Sequence, residues 1–228
     1  MRFPVPHWRN AAPGEVRTWI TDINDGIITV AGMELGLVGA QVPQQTAYAV
    51  ISINALVGAL AVFGVKLGER YADREAEADL IRQESDRLAL SPDDEKAELI
   101  AWFEERGVCP STARGVADEL AAGDALGAQL LIEYGLKKRT TPDIAWHESV
   151  QAGVAFLLGA ALPVLATILT PWDTHVIWTV AVAATSLTTT SFILSRRGHS
   201  NTRATIARSL IVGLSTITIS YFLGDLLL

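Results

Sequence analysis

Residues 47–65 read AYAVISINALVGALAVFGV, and residues 66–88 continue as KLGERYADREAEADLIRQESDRL. The first segment carries no charge and is long enough for a helix to cross a bilayer core, which takes about 20 apolar residues. The second is rich in good helix formers and contains no helix breaker, so the helix is expected to run on into water. Working outward, four more weakly charged stretches appear: Gly26–Val42, Val150–Thr170, Val176–Ser195 and Ser209–Gly224. Mean hydropathy is +0.29 and 50% of the residues are hydrophobic. The reading is an all-α polytopic membrane protein with five transmembrane helices and a cytoplasmic helical insert between spans two and three. Its divisions are 1–65 (N-terminal segment and spans one and two), 66–149 (the acidic insert) and 150–228 (spans three to five).

Charge supports the division. Between Lys66 and Glu148 lie 19 of the 25 acids and 11 of the 18 bases, a net of −8. The rest of the chain sums to +1. A soluble enzyme, a nucleic-acid binder and a disulfide scaffold are all disfavoured. The single cysteine, Cys109, excludes an intrachain disulfide and a multi-cysteine metal site. Short loops rich in Arg and Lys mark the cytoplasmic side. Arg2, Arg9 and Arg17 precede span one, and Arg196, Arg197, Arg203 and Arg208 lie between spans four and five. The loops 41–46 and 171–175 hold no base. One arrangement satisfies every loop: N-terminus, insert and arginine-rich loop inside, C-terminus outside. Trp19, Trp146, Trp172 and Trp178 fall at span ends, where indole rings favour the headgroup zone. With no signal peptide or long targeting extension before span one, a bacterial inner membrane is the expected location.

Within the insert, Ser91-Pro92-Asp93-Asp94-Glu95 reads as a helix start, with Ser91 as cap and Pro92 in the first turn. That helix is expected to end at Gly107. A second fits Ser111–Ala122, closed by Gly123, and a third runs from Asp124 to Gly135. The acids admit two readings: a solvated face that keeps the insert soluble, or oxygen ligands for a divalent cation. Glu95 and Glu98 lie three apart and share a helix face, and Glu84 and Glu133, on other helices, are candidates to join them. Hard or borderline ions such as Mn²⁺ and Fe²⁺ accept such oxygens. An EF-hand loop, HExxH and CxxC are all missing, and so is any nucleophile–base motif. His147, His175 and His199, near span ends, read as surface histidines. No organic cofactor is expected.

The order of motifs is more specific than any one of them. Asn24-Asp25-Gly26-Ile27-Ile28-Thr29 opens span one, and Gly58-Ala59-Leu60-Ala61 sits in span two. Pro92-Asp93-Asp94-Glu95-Lys96-Ala97-Glu98-Leu99, Glu105-Arg106-Gly107-Val108 and Ile132-Glu133-Tyr134-Gly135-Leu136 mark the insert. Gly159-Ala160-Ala161-Leu162-Pro163-Val164-Leu165 lies in span three. From about Trp19 to the end, this resembles the vacuolar iron transporter family. The resemblance implies a homodimer with five spans per subunit that exports Fe²⁺ or Mn²⁺ from the cytoplasm in exchange for protons. It places metal on Glu84, Glu95, Glu98 and Glu133, and a transport path along Asp25, Thr29 and Asn54. Departures are also visible. Arg87 stands where a glutamate is usual, Gln129 where a methionine is usual, and Ala61-Val62 and Val65-Lys66-Leu67 replace the span-two motifs. The alternative from a different class is a non-transporting membrane protein whose acidic insert binds or senses divalent metal.

On helical geometry Asp25, Thr29, Gly32 and Gly36 share a face, expected to look into the bundle and the dimer axis. Glu34 points the other way and is expected to pair elsewhere or line a lateral groove. Gly32 and Gly36, with Gly58 and Ala61, are expected to let helix backbones approach closely.

Overall fold

The computed structural model describes residues 13–136, 140–171, 173–198 and 201–227. Arg2, Arg9, Trp172 and His199 lie outside them. The described residues form eight α-helices: α1 (Pro13–Gly39), α2 (Gln44–Leu90), α3 (Pro92–Glu105), α4 (Pro110–Ala122), α5 (Ala125–Tyr134), α6 (Pro142–Leu169), α7 (His175–Gly198) and α8 (Thr202–Leu227). They divide into two compact units, one of residues 1–67 with 146–228 and one of residues 68–145.

In the first unit, α1 is the central helix. One side of it, through Val30, joins Ala47, Ile51, Ala55 and Ala59 of α2 and Phe156 and Ala160 of α6. The other side, through Ile27, Ala31 and Leu35, meets Ala183 and Leu187 of α7 and Ile217 of α8. The buried residues are mostly small, whereas Leu60, Leu169, Ile177, Ile211 and Phe222 are exposed. Small side chains inward and large apolar ones outward is the pattern of helices packed in lipid, where close backbone approach drives association. Four helices, α2, α6, α7 and α8, are long and apolar enough to cross a membrane. At 27 residues α1 has the length, but Glu15, Arg17, Asp22, Asp25 and Glu34 keep it out of that set. Its neighbours supply the apolar cover that its own composition lacks.

Glycines set the closest approaches. A Cβ at Gly26 would collide with the Phe156 carbonyl oxygen and stand 2.8 Å from the Ala160 nitrogen, while one at Gly159 would strike the Ile23 carbonyl. These two glycines lock α1 to α6. Gly39 and Gly224 do the same for α1 and α8, against the carbonyls of Tyr221 and Gly36. At Gly32 and Gly36 an added Cβ would sit 3.3 Å from the Ser220 hydroxyl and carbonyl oxygens respectively, a looser fit. Of the expected positions Gly32 and Gly36 are the less constrained, whereas a Cβ at Gly58 would come within 2.6 Å of the Phe156 ring.

In the second unit α2 continues without a break past Val65, as its composition required. The helices α3, α4 and α5 follow at nearly the expected bounds. Gly107 and Gly135 take positive φ, 87° and 67°, the left-handed conformation that ends a helix at low cost in glycine. Asp124 caps α5 by accepting from the Gly127 nitrogen at 2.9 Å. Ser91 precedes α3 without a side-chain cap bond, contrary to expectation. Acids in the first turn of α3 and Pro92 supply the start signal instead. Leu99, Ala113, Ala117 and Leu130 form the apolar interior.

Candidate metal centre

Three helices of the second unit bring acids together. Glu84 comes from α2, Glu95 and Glu98 from successive turns of α3, and Glu133 from the last turn of α5. One carboxylate oxygen each from Glu95, Glu98 and Glu133 lies within 4.8 Å of the others. Glu95 is buried at 6% exposure, and Glu84 is more deeply buried at 1%. Glu98 and Glu133 sit at the open side of the cluster. Sequence spacing had paired Glu95 with Glu98. That Glu133 joins them depends on how α5 packs, which spacing does not reveal.

The electrostatics show why such a cluster suits a cation. Among the described residues neither oxygen of Glu84 meets a hydrogen-bond donor, and its carboxyl lies against that of Glu95. Two carboxylates in contact repel unless a proton or a cation sits between them. Burial, then the charges of Glu133 and Glu95, push Glu84 up to about 7. Glu98 is raised as well, chiefly by the charge of Glu95. Arg87 offsets part of the charge, with Nη1 3.7 Å from Glu84 Oε2 and 4.0 Å from Glu133 Oε2. Half of its side chain is exposed. Four carboxylates against one guanidinium leave an excess of acid, most of which a divalent ion would offset.

Gln129 fixes the geometry from behind. Its Nε2 donates to both the backbone oxygen and Oε2 of Glu95, each at 3.0 Å. A methionine at this position would contribute a soft ligand. The amide instead holds a hard one in place, an orienting contact of the kind that tunes metal affinity. Sequence reading noted Gln129 only as a departure and missed this role. Asp93 and Asp94 are exposed on α3, outside the cluster.

The residues expected to line a membrane path lie in the first unit. Asp25 and Thr29 are exposed along one stripe of α1 that continues to Met33, whereas Gly32 is buried and Gly36 half-buried against α8. The face expected to turn into the bundle therefore splits in two. The carboxylate looks out of the protomer, and only the glycines look inward. Asn54 is half-buried on α2, and its Nδ2 has no hydrogen-bond partner among the described residues. Asn24, beside Asp25, accepts from the Thr190 hydroxyl at 2.6 Å and ties α1 to α7. Glu34 is wholly buried, and so is His175, which had been expected at the surface.

A family model described as the VIT family matches residues 16–225. A protein of Acanthamoeba castellanii named "Vacuolar iron transporter" is 28% identical over 158 residues, which make up 66% of this chain. The chain spans 57% of that relative's length.

Proposed function

This chain belongs to the VIT family, and from that premise we propose that it carries divalent iron or manganese out of the cytoplasm in exchange for protons. The observation that carries this reading is the meeting of Glu95, Glu98 and Glu133 oxygens within 4.8 Å, with buried Glu84 beside them. Carboxylate oxygens alone suit Mn²⁺ and Fe²⁺ and give little hold to softer ions. In this reading the acidic unit collects the ion from the cytoplasm. The bases at Arg17, Arg196, Arg197, Arg203 and Arg208 support its orientation by the positive-inside rule. With α1 counted, the chain has five spans. That helix needs no apolar composition of its own where protein surrounds it on most sides.

Asp25 and Thr29 are the path residues of this proposal, with Asn54 on α2. A charged carboxylate on an exposed stripe of a membrane helix is costly against lipid. A second copy of the chain covering that stripe would remove the cost and set two Asp25 carboxylates about a common axis. The test is Mn²⁺ uptake into proteoliposomes under an imposed proton gradient. Wild type is expected to accumulate the ion. Asp25→Asn, which keeps shape and removes charge, is expected to fold as a dimer and accumulate none. Undiminished uptake by Asp25→Asn refutes the path. Metal binding by wild type without any uptake would make this a metal-binding membrane protein instead.

A further inference from the structure

Glu34 is a carboxyl group that the metal centre and the Asp25 path do not use, and it is 0% exposed. Nine residues beyond Asp25, it lies on the opposite side of α1. There Thr179 of α7 donates to Glu34 Oε1 at 2.7 Å. The other oxygen, Oε2, has no donor among the described residues. Thr167 of α6 acts on the same carboxyl, but its hydroxyl hydrogen is spent on the Pro163 carbonyl at 2.9 Å. Thr167 Oγ1 can therefore accept and has nothing left to give.

His175 lies one turn before Thr179 on the same face of α7, is 3% exposed, and acts electrostatically on Glu34. We propose that Glu34 and His175 form a proton-binding site inside the helix bundle, with the proton on Glu34 Oε2, the oxygen that Thr179 leaves free. A buried carboxylate without a counter-charge is strongly disfavoured, so the pair holds one proton in total. When the proton moves, one O–H bond breaks at Glu34 and one N–H bond forms on the imidazole, directly or through one water. The pair is neutral before and after. His175 opens α7 directly after the exposed residues Asp173 and Thr174, so it is also the group nearest to water along the chain. The other elements add little charge. From α2 comes Tyr48, whose hydroxyl donates to the Thr167 carbonyl at 3.2 Å. The end of α6 offers only hydroxyls, Thr167 and Thr170. Asp225 of α8, against Gly39, is exposed. The use of this site as the counter-ion carrier rests on the transport reading; its proton does not.

Infrared difference spectra of the full-length protein in lipid test the proton directly. Wild type minus Glu34→Gln at neutral pH is expected to show the carbonyl band of one neutral carboxyl, shifted by deuterium exchange. Thr179→Val, which leaves Glu34 in place, is expected to move that band by removing the donor to Oε1. No band in the first difference, or an unmoved band in the second, overturns the site. In proteoliposomes loaded with Mn²⁺, Glu34→Gln mimics the permanently protonated form. It is expected to retain downhill Mn²⁺ flux and lose the response to an imposed pH gradient. A wild-type response in that variant overturns the coupling role. Wild type that moves no Mn²⁺ overturns the transport reading, and the infrared band then still decides the proton site.

Discussion

Metal binding at the Glu84–Glu95–Glu98–Glu133 cluster should release a countable proton. Glu84, held at about 7 by burial and by Glu133 and Glu95, is protonated in about nine molecules of ten at pH 6 and about one in ten at pH 8. A cation between Glu84 and Glu95 needs the ionised form, so binding displaces that proton. The expected release from Glu84 is about 0.9 proton per ion at pH 6 and about 0.1 at pH 8. The raised Glu98 adds to release at the acid end. Apparent Mn²⁺ affinity should then rise with pH and level off above about 7. At pH 5 it should be about 100-fold below its plateau from Glu84 alone, since affinity changes about tenfold per unit below the group's own value. The same shift makes the metal-free unit less stable as pH rises. The folded state holds the Glu84 proton more tightly than the unfolded chain, so stability falls between about 4.5 and about 7. Titration calorimetry of the full-length protein in buffers of different ionisation enthalpy reads the proton count directly. Glu84→Gln should remove the share of the release that Glu84 supplies and weaken binding by about 10–100-fold, the usual range for changes around a ligand shell. Equal proton release by wild type and Glu84→Gln at pH 6 would refute the reasoning.

Other tests follow from the same structure. The double variant Glu95→Ala/Glu98→Ala should lose Mn²⁺ binding, while Asp93→Ala/Asp94→Ala, changing exposed neighbours outside the cluster, should keep wild-type affinity in the same calorimeter. Arg87→Glu removes the guanidinium 3.7 Å from Glu84 and adds a fifth carboxylate, so Mn²⁺ should bind more tightly at pH 7; unchanged or weaker binding would show that Arg87 does not oppose the ion. Gly26→Ala and Gly159→Ala should each destabilise the membrane unit by about 1–3 kcal/mol, the cost of overpacking a closed contact. Gly32→Ala should melt close to wild type, because its nearest neighbour is the end of the Ser220 side chain at 3.3 Å. Equal melting of all three would remove the glycine contacts from the account of assembly.

The sequence by itself determined whatever depends on local runs and their periods. Uncharged stretches long enough to span, the unbroken helix past Val65, the acidic segment between Lys66 and Glu148, and the left-handed ends at Gly107 and Gly135 were all legible. Each follows from neighbours within a few turns. Glu95 with Glu98 was legible for the same reason, being three apart on one helix. Glu84 and Glu133 were candidates on other helices, but no spacing along the chain shows whether they converge with the pair. Only tertiary structure could decide which faces meet. Asp25 and Glu34 are both acids on one helix, and helical phase shows that they point in opposite directions without showing which way is inward. The packing of α6, α7 and α8 around α1 turned Glu34 into the bundle beside His175 and left Asp25 outside. Gly26 and Gly159 looked like any other membrane glycines until the backbones of α1 and α6 were seen to touch there. Side-chain identity is local, but burial and partnership belong to pairs of helices far apart in the chain, and no period along one strand of sequence encodes them.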